Sequence, residues 1–452
     1  MFKKSLIASA IATVAVLSSG TVVADGGEGF IDGSSMDLGV MYYGRERDHE
    51  NAGNQIRVHA LGLNANLKSG YYNGWLGADF SAASNIDLMG GSGHGQSEVL
   101  YYDNKNPGDE RSSERVTKAR IKMKFGDEAL GADIKAGYTD INAGVIGTSA
   151  GINAHSYRGI DAKLNMDNLQ LAYGRADQFQ NDWDDRFRDL TNSWHQNKNN
   201  TGGEQIDFIH SIGARYDLNG NGWVDAAYGE GKDYRKNYHL AGSYSFDLEE
   251  LGTLTLTSYY QSGKYEEGGA YTYDADPSDS GVDMQSVEKT EREYTWSSSA
   301  ALSRGNWNFL TGYGQTSAKD SGEYQLRLTA WANSDHRNFL QTWAQLDDFL
   351  WDGQKVVKFA TSYNFDGDLK GFSTGVSYNY GWDNYNNRGT ATENRDGEMH
   401  ALDFQFSYAV QSGPMEGLWL GVFPGFLRTT DTDVKDDRND IKVMATYNIS
   451  VF

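Results

Sequence analysis

Leu61-Gly62-Leu63-Asn64-Ala65-Asn66-Leu67-Lys68-Ser69-Gly70-Tyr71-Tyr72-Asn73-Gly74-Trp75-Leu76-Gly77-Ala78-Asp79-Phe80-Ser81-Ala82 reads as two strands joined by a tight turn. Leu61, Leu63, Ala65 and Leu67 alternate with Gly62, Asn64 and Asn66; Leu76, Ala78, Phe80 and Ala82 alternate with Gly77, Asp79 and Ser81. A period of two puts successive side chains on opposite faces, so each strand has one apolar and one polar side. The intervening Asn-Gly suits a hairpin, because both residues accept a positive φ.

The same alternation recurs outward from this hairpin. Met36, Leu38, Val40 and Tyr42 alternate with Asp37, Gly39, Met41 and Tyr43, and Ala119, Ile121, Met123 and Phe125 with Arg120, Lys122 and Lys124. Further strand-like segments are read at 169–173, 206–216, 223–228, 238–246, 254–260, 294–302, 307–313, 324–331, 339–346, 356–363, 371–380, 400–408, 418–427 and 441–452. Tight links at 69–74, 218–222, 246–252, 303–306 and 366–370 are interleaved with long polar ones at 87–116, 177–204, 266–293 and 384–399. A transmembrane antiparallel β-barrel has this asymmetry: short periplasmic turns, long extracellular loops, apolar side chains toward lipid and polar ones toward a lumen. At about 24 residues per strand and connection, the chain predicts roughly 18 strands, a barrel too wide for side chains to fill.

A secreted soluble sandwich, β-helix or propeller also alternates, with core against solvent. The unequal connections argue against it, as do aromatic groups at strand ends: Tyr42-Tyr43, Tyr71-Tyr72 with Trp75, Tyr259-Tyr260, and Tyr378 to Trp382. No repeat of fixed period is present, which argues against propellers and solenoids. The chain ends in Phe452, out of phase with the apolar set Ile441, Val443, Ala445, Tyr447, Ile449 and Val451.

Composition agrees with this reading. A mean hydropathy of −0.63 excludes a bundle of membrane helices, each of which needs ~20 consecutive apolar residues. Aromatic residues at 13% are too many for a disordered acidic chain. With 53 Gly, 4 Pro and no Cys, the chain favours strands and turns without disulfide staples. Lys3 and Lys4 precede an apolar run at 6–17, and Val22-Val23-Ala24 leads into Asp25-Gly26-Gly27-Glu28. This is the layout of a secretory signal, 1–24, cleaved after Ala24 and followed by one barrel domain, 25–452. Loss of the two lysines takes the formal charge from −22 to −24, which disfavours nucleic acid as a partner.

Beyond the pattern, particular blocks resemble the OprD-type porins, and within them the monomeric chitoporins of enteric bacteria. These are Gly29–Ser35 with Tyr42–Asp48, Leu63–Leu67 with Ser69–Tyr71, Ile206–Asp217, Asp347–Phe349 running to Lys355, Gly371–Asp383, and Asp437–Lys442. The resemblance spans nearly the whole chain. It implies an 18-stranded barrel in the outer membrane of a Gram-negative cell, narrowed by an inward-folded constriction loop. It also implies passive uptake of chitooligosaccharides, with no cofactor. Other OprD-type loads (amino acids, peptides, small carboxylates) and general diffusion remain open. The segment equivalent to the constricting third loop, 138–159, lacks the prolines usual there, which leaves eyelet width and substrate preference open. A monomer is expected, with a trimer the alternative. The implied partners are the solute, outer-membrane lipid and lipopolysaccharide, and the barrel-assembly machinery.

A sugar channel needs aromatic faces for the rings and charged or amide groups for the hydroxyls. Alternation nominates Arg45, Arg47, Asp79, Arg120, Lys122, Lys124, Arg327, Trp331 and Trp343 as inward-facing. Trp183 and Trp194, among Asp182, Asp184, Asp185 and Asn192, form a candidate platform at the mouth. The competing reading makes such tryptophans membrane-belt anchors. Arg120, Lys122 and Lys124 lie on one face of one strand about 7 Å apart; the resemblance gives this row the role of a basic ladder, facing acids from the folded loop across the eyelet. The plainer reading is a charged wall that keeps the pore wet.

An enzyme is the runner-up class, since some barrels carry Ser/His or Asp/His sets. The nine histidines fall in no paired motif, and neither GxSxG nor HExxH occurs. An adhesin or structural barrel would conduct nothing. No metal ligands are nominated.

Overall fold

The computed structural model describes residues 29–49, 56–89, 99–101, 110–127, 129–147, 155–191, 205–266, 271–274, 283–286, 292–318, 340–386, 392–432 and 434–452. Their dominant feature is a 19-stranded antiparallel sheet, of which Arg188–Asp189 is a two-residue piece; the other eighteen strands form the wall. In chain order they are β1 (Ser35–His49), β2 (Ile56–Lys68), β3 (Leu76–Asp87), β4 (Ser113–Gly126), β5 (Leu130–Thr139), β6 (Ser156–Met166), β7 (Leu169–Gln180), β8 (Ile209–Asp217) and β9 (Gly222–Gly231). The second half continues as β10 (Arg235–Asp247), β11 (Thr253–Tyr265), β12 (Glu293–Arg304), β13 (Trp307–Ser317), β14 (Lys355–Asn364), β15 (Phe372–Asn386), β16 (Asn394–Ala409), β17 (Trp419–Thr430) and β18 (Arg438–Ser450). Each pairs with its neighbour, and β1 pairs with β18 from Asp37↔Ser450 to His49↔Arg438. The sheet is a closed barrel without a free edge, so no strand border is left to face lipid.

One predicted segment fails as a strand of the wall, and two strands went unread. Residues 340–350 carry no strand, although Leu340, Thr342, Ala344 and Leu346 alternate with Gln341, Trp343 and Gln345; segment 324–331 lies outside the described residues. β5 and β6 were passed over. The connection expected at 384–399 is mostly strand, with β15 running to Asn386 and β16 beginning at Asn394.

The faces follow from the register. Leu63, Phe80, Ile121, Ile160, Ile212, Leu240, Phe309, Phe359, Phe406 and Ile441 are exposed on the outer surface, where lipid covers them. Outward aromatic contacts cluster near both ends. Toward the short turns are Trp75–Phe125, Tyr244–Phe246 and Trp307–Tyr363, with ring centroids 5.9, 4.8 and 4.7 Å apart. Toward the long loops are Tyr228–Tyr238, Trp296–Tyr313 and Tyr380–Trp382, at 5.3, 5.5 and 5.4 Å. Only one member of each adjacent pair can join such a girdle: Tyr43 and Tyr259 are buried on the inner side, while Tyr42 and Tyr260 face out. The β2–β3 turn uses Asn73 (φ 49°) and Gly74 (φ 76°), and the β8–β9 turn Asn219 (φ 57°) and Gly220 (φ 78°), both left-handed as Asn-Gly permits. Phe452 lies beyond the last strand, with its carbonyl accepting from the Met36 amide at 3.1 Å and its side chain exposed.

Candidate functional site

A lumen this wide is narrowed from within. The first inward loop, 140–155, joins β5 to β6 and is described to residue 147. Its Ile141, Ala143, Val145 and Ile146 are buried with Tyr157, Phe179, Leu190, Ile206 and Ile209. The Val145 amide donates to Ser211 Oγ at 2.9 Å, and Ser211 Oγ donates to the Tyr228 carbonyl at 2.9 Å. The Asn142 amide donates to Asp161 Oδ1 at 3.3 Å. Glycines on the wall make the seat: a Cβ on Gly174 would lie 2.7 Å from Ile141 Cγ2 and 2.9 Å from Ala143 Cβ, and one on Gly213 would lie 3.0 Å from Gly144 Cα.

A second loop, between β13 and β14 and described from residue 340, lines the wall from β13 to β17. Lys358 Nζ donates to the Trp343 carbonyl at 2.6 Å, the Gln345 amide to Asp403 Oδ2 at 3.0 Å, and Gln345 Nε2 to the Phe423 carbonyl at 2.9 Å. Glycine again provides room, since a Cβ on Gly381 would lie 2.8 Å from the Phe349 ring. Further up, Lys435 Nζ meets Asp347 Oδ2 at 2.6 Å, and Arg395 Nη2 meets Asp352 Oδ2 at 2.7 Å. These ion pairs tie the loop to its neighbours at the rim.

Between the loops the inner wall from β3 to β6 carries the charge. Arg120 Nε donates to Asp79 Oδ2 at 2.8 Å and Nη1 to Thr139 Oγ1 at 3.0 Å; Lys122 Nζ lies 2.8 Å from Asp79 Oδ1. Asp140, at the root of the first loop, contacts the Arg120 guanidinium and lies 3.3 Å from Lys118 Nζ. Burial alone would push the Asp140 carboxyl up, but Lys118, Arg120 and Lys135 outweigh it and hold the group well below the ordinary carboxylate range. Lys122 and Lys124 both sit over the Tyr71 ring, 4.9 and 4.2 Å from its centre. A register shift at Ser81/Ala82, opposite Lys118 and Val116, changes the phase of β4, so Arg115 and Lys118 both point inward.

Of the nominated residues, Arg45, Arg47, Asp79, Arg120, Lys122 and Lys124 lie on the inner face. Arg45 and Arg47 converge on Asp440, at 2.8 and 3.0 Å. Trp343 is also inside, but on the second loop rather than on a strand. It is half-buried, with Lys358 Nζ 5.4 Å from its ring centre. The loop mimics a strand because one of its faces presses on the wall and the other meets the lumen. Trp183 is half-buried, and its neighbours do not form an open platform. Asp182 and Asp184 are buried, Asp184 accepting from Arg188 Nε at 2.8 Å and Asp182 lying 3.4 Å from His155 Nε2. Arg327, Trp331 and Trp194 lie outside the described residues.

The sequence reading missed further inward charges: Lys118, Lys135 and Lys163 beside the ladder, and Lys442 and Asp403 across the lumen. By register Lys135 faces Lys122 and Asp161, and Lys163 faces Asp133. The signal was present in the alternation of β5 and β6. Also unread was a lumen-facing tryptophan, Trp223, opposite Asp217 and Ser243.

Comparison with known proteins gives a consistent answer. The family described as outer membrane porin, OprD family, matches residues 28–451. A chitoporin of Escherichia coli (strain K12) is 25% identical over 100% of this chain and 99% of its own length. Among solved structures, Acinetobacter baumannii OccAB1 superposes with a TM-score of 0.77 at 16% identity, covering 94% of this chain and 98% of that one. Pseudomonas aeruginosa OpdK with vanillate gives 0.70 at 17% identity, covering 93% and 100%.

Proposed function

Because this chain belongs to the OprD family of outer membrane porins, a channel in the outer membrane that passes small solutes, we propose that its load is the chitooligosaccharides. The observation that carries this reading is the combination of an aromatic face and paired charges along one narrowed path. Trp343 sits on the second loop beside Lys358, and Tyr71 lies under Lys122 and Lys124, while Asp79, Asp140 and Arg120 supply acceptors and donors between them. A neutral amino-sugar offers ring faces to stack and hydroxyls and amides to bond, and this wall can answer both. The relation to a chitoporin over the whole chain supports the same load. Passage needs no cofactor, because the solute moves down its own gradient.

A second reading has its own observation. Lys118, Arg120, Lys122, Lys124, Lys135 and Lys163 make one stretch of wall rich in cations, which favours small carboxylates. Single-channel recording in a planar bilayer separates the two. Current interrupted by chitohexaose but not by maltohexaose or benzoate supports the sugar, and benzoate block alone supports the carboxylate. An open pore that neither interrupts overturns both in favour of general diffusion.

A further inference from the structure

Below the first loop, the inner wall of β8–β10 carries a polar cluster around one tryptophan. Val145 of the loop covers Gly229; Trp223 lies six residues closer to the periplasmic turn, about 20 Å along the strand. The Arg215 guanidinium lies over the Trp223 ring, 4.2 Å from its centre. Arg215 is in register with Asp225, and Trp223 with Asp217. Asp225 Oδ1 lies 3.2 Å from His239 Nε2, and Gln261 Nε2 lies 3.5 Å from His239 Nδ1. Trp223, Arg215, Asp225 and His239 are all partly exposed.

We propose that this cluster is a second carbohydrate subsite, which receives a hexosamine ring once the oligomer has passed the constriction. This rests on the chitooligosaccharide reading above and places a contact that the reading does not contain. Trp223 cannot be a membrane anchor, because its register turns it away from lipid. The Trp223 ring is flanked by the Arg215 guanidinium and by Tyr259, whose ring centre is 6.2 Å away; the part that stays open to the lumen is apolar surface, which a pyranose ring face can cover. The surrounding charges decide against an anion: Arg215 is matched by Asp225 and Asp217, so no surplus of positive charge remains. What the edge does offer is a guanidinium that donates and carboxylates that accept, the pairing a sugar's hydroxyls and acetamide require. The basic stretch from β3 to β6 attracts charge; the wall at Trp223 is balanced and aromatic.

The test is chitohexaose blockage of the reconstituted channel, with sugar added separately to the two sides, in wild type and in Trp223→Ala. Loss of one ring contact should shorten blockages about five-fold and slow association chiefly from the periplasmic side. Trp223→Phe, which keeps a ring, should retain most of the wild-type dwell time. Should Trp223→Ala fail to insert, Trp223→Leu removes the aromatic face while keeping bulk. Wild-type dwell times in the Ala or Leu variant overturn the subsite and leave the chitooligosaccharide reading standing. A wild-type channel that chitohexaose never interrupts overturns that reading, and the subsite with it.

Discussion

Lys358 Nζ donates to the carbonyl oxygen of Trp343 at 2.6 Å, a buried lysine of the wall holding the backbone of the loop that narrows the pore. The same ammonium lies 5.4 Å from the centre of the Trp343 ring, so one lysine holds both the backbone and the face of that residue.

Lys358→Met should therefore loosen the second loop without unseating the barrel. A buried carbonyl left without its donor costs roughly 1–3 kcal/mol, enough to populate undocked states. The expected outcome is a noisier open channel of higher mean conductance, read in single-channel recordings, with detergent-resistant mobility of the folded barrel unchanged.

Gly174 should be intolerant of a side chain for a reason unrelated to its backbone. A Cβ there would meet Ile141 and Ala143 at under 3 Å, so Gly174→Val must lift the first loop from its seat. Overpacking of this kind costs typically 1–3 kcal/mol. A larger conductance and faster passage of bulky solutes in liposome swelling are expected; an unaltered pore would show that the loop is held by other contacts.

Asp140→Asn should move reversal potentials in a KCl gradient toward anion preference, because it removes the carboxylate facing Lys118 and Arg120. The share of selectivity that Asp140 supplies, read as the difference between wild type and Asp140→Asn, should hardly change from pH 7 to pH 4. The Asp140 carboxyl is held below its ordinary value of about 3.9. Its contribution to loop docking is therefore fully present above that value and is lost only as pH falls through the depressed one. A marked change of that difference near pH 5 would contradict this.

Arg120→Met and Lys124→Met should separate structural from electrostatic roles within the ladder. Arg120 joins Asp79 and Asp140; its loss leaves Asp79 to Lys122 and Asp140 to Lys118, each acid short of one partner, and should cost about 1–3 kcal/mol. Lys124 rests on the Tyr71 ring, a contact of about 0.5–1 kcal/mol. The temperature at which the folded gel band converts to the unfolded one should fall clearly for the first and little for the second, while both shift ion selectivity toward cations.

Trp343→Ala should shorten chitohexaose blockages several-fold, as expected for an aromatic contact of ~1 kcal/mol. Unchanged dwell times would mean that the ring only props the loop.

The barrel was legible because lipid and lumen impose opposite chemistries on successive residues, and 76–82 or 119–125 show this without ambiguity. Leu130–Thr139 escaped because its lipid side is built partly from Ala132 and Ala136, which blunt the contrast. Ser156–Met166 escaped because its outward set, Arg158, Ile160, Ala162 and Leu164, holds a charge and an alanine, which blunt the contrast in the same way. The reverse error at 339–346 has the same root: a loop laid against a wall also has a dry and a wet side. Arg45 and Arg47 of β1 and Arg120, Lys122 and Lys124 of β4 followed from alternation alone; Lys118 did not, because the register shift beside it changes the phase. What the loops cover did not, because Gly174, Gly229 and Gly381 on separate strands become a seat only when the sheet is rolled.

Asp37 and Ser450, paired across the joint between first and last strands, stand far apart along the chain. Until the carboxyl-terminal strand arrives, the hoop is an open ribbon with two sticky borders, each able to capture a foreign strand. Shortening the barrel by that strand therefore removes the clasp rather than one eighteenth of the wall.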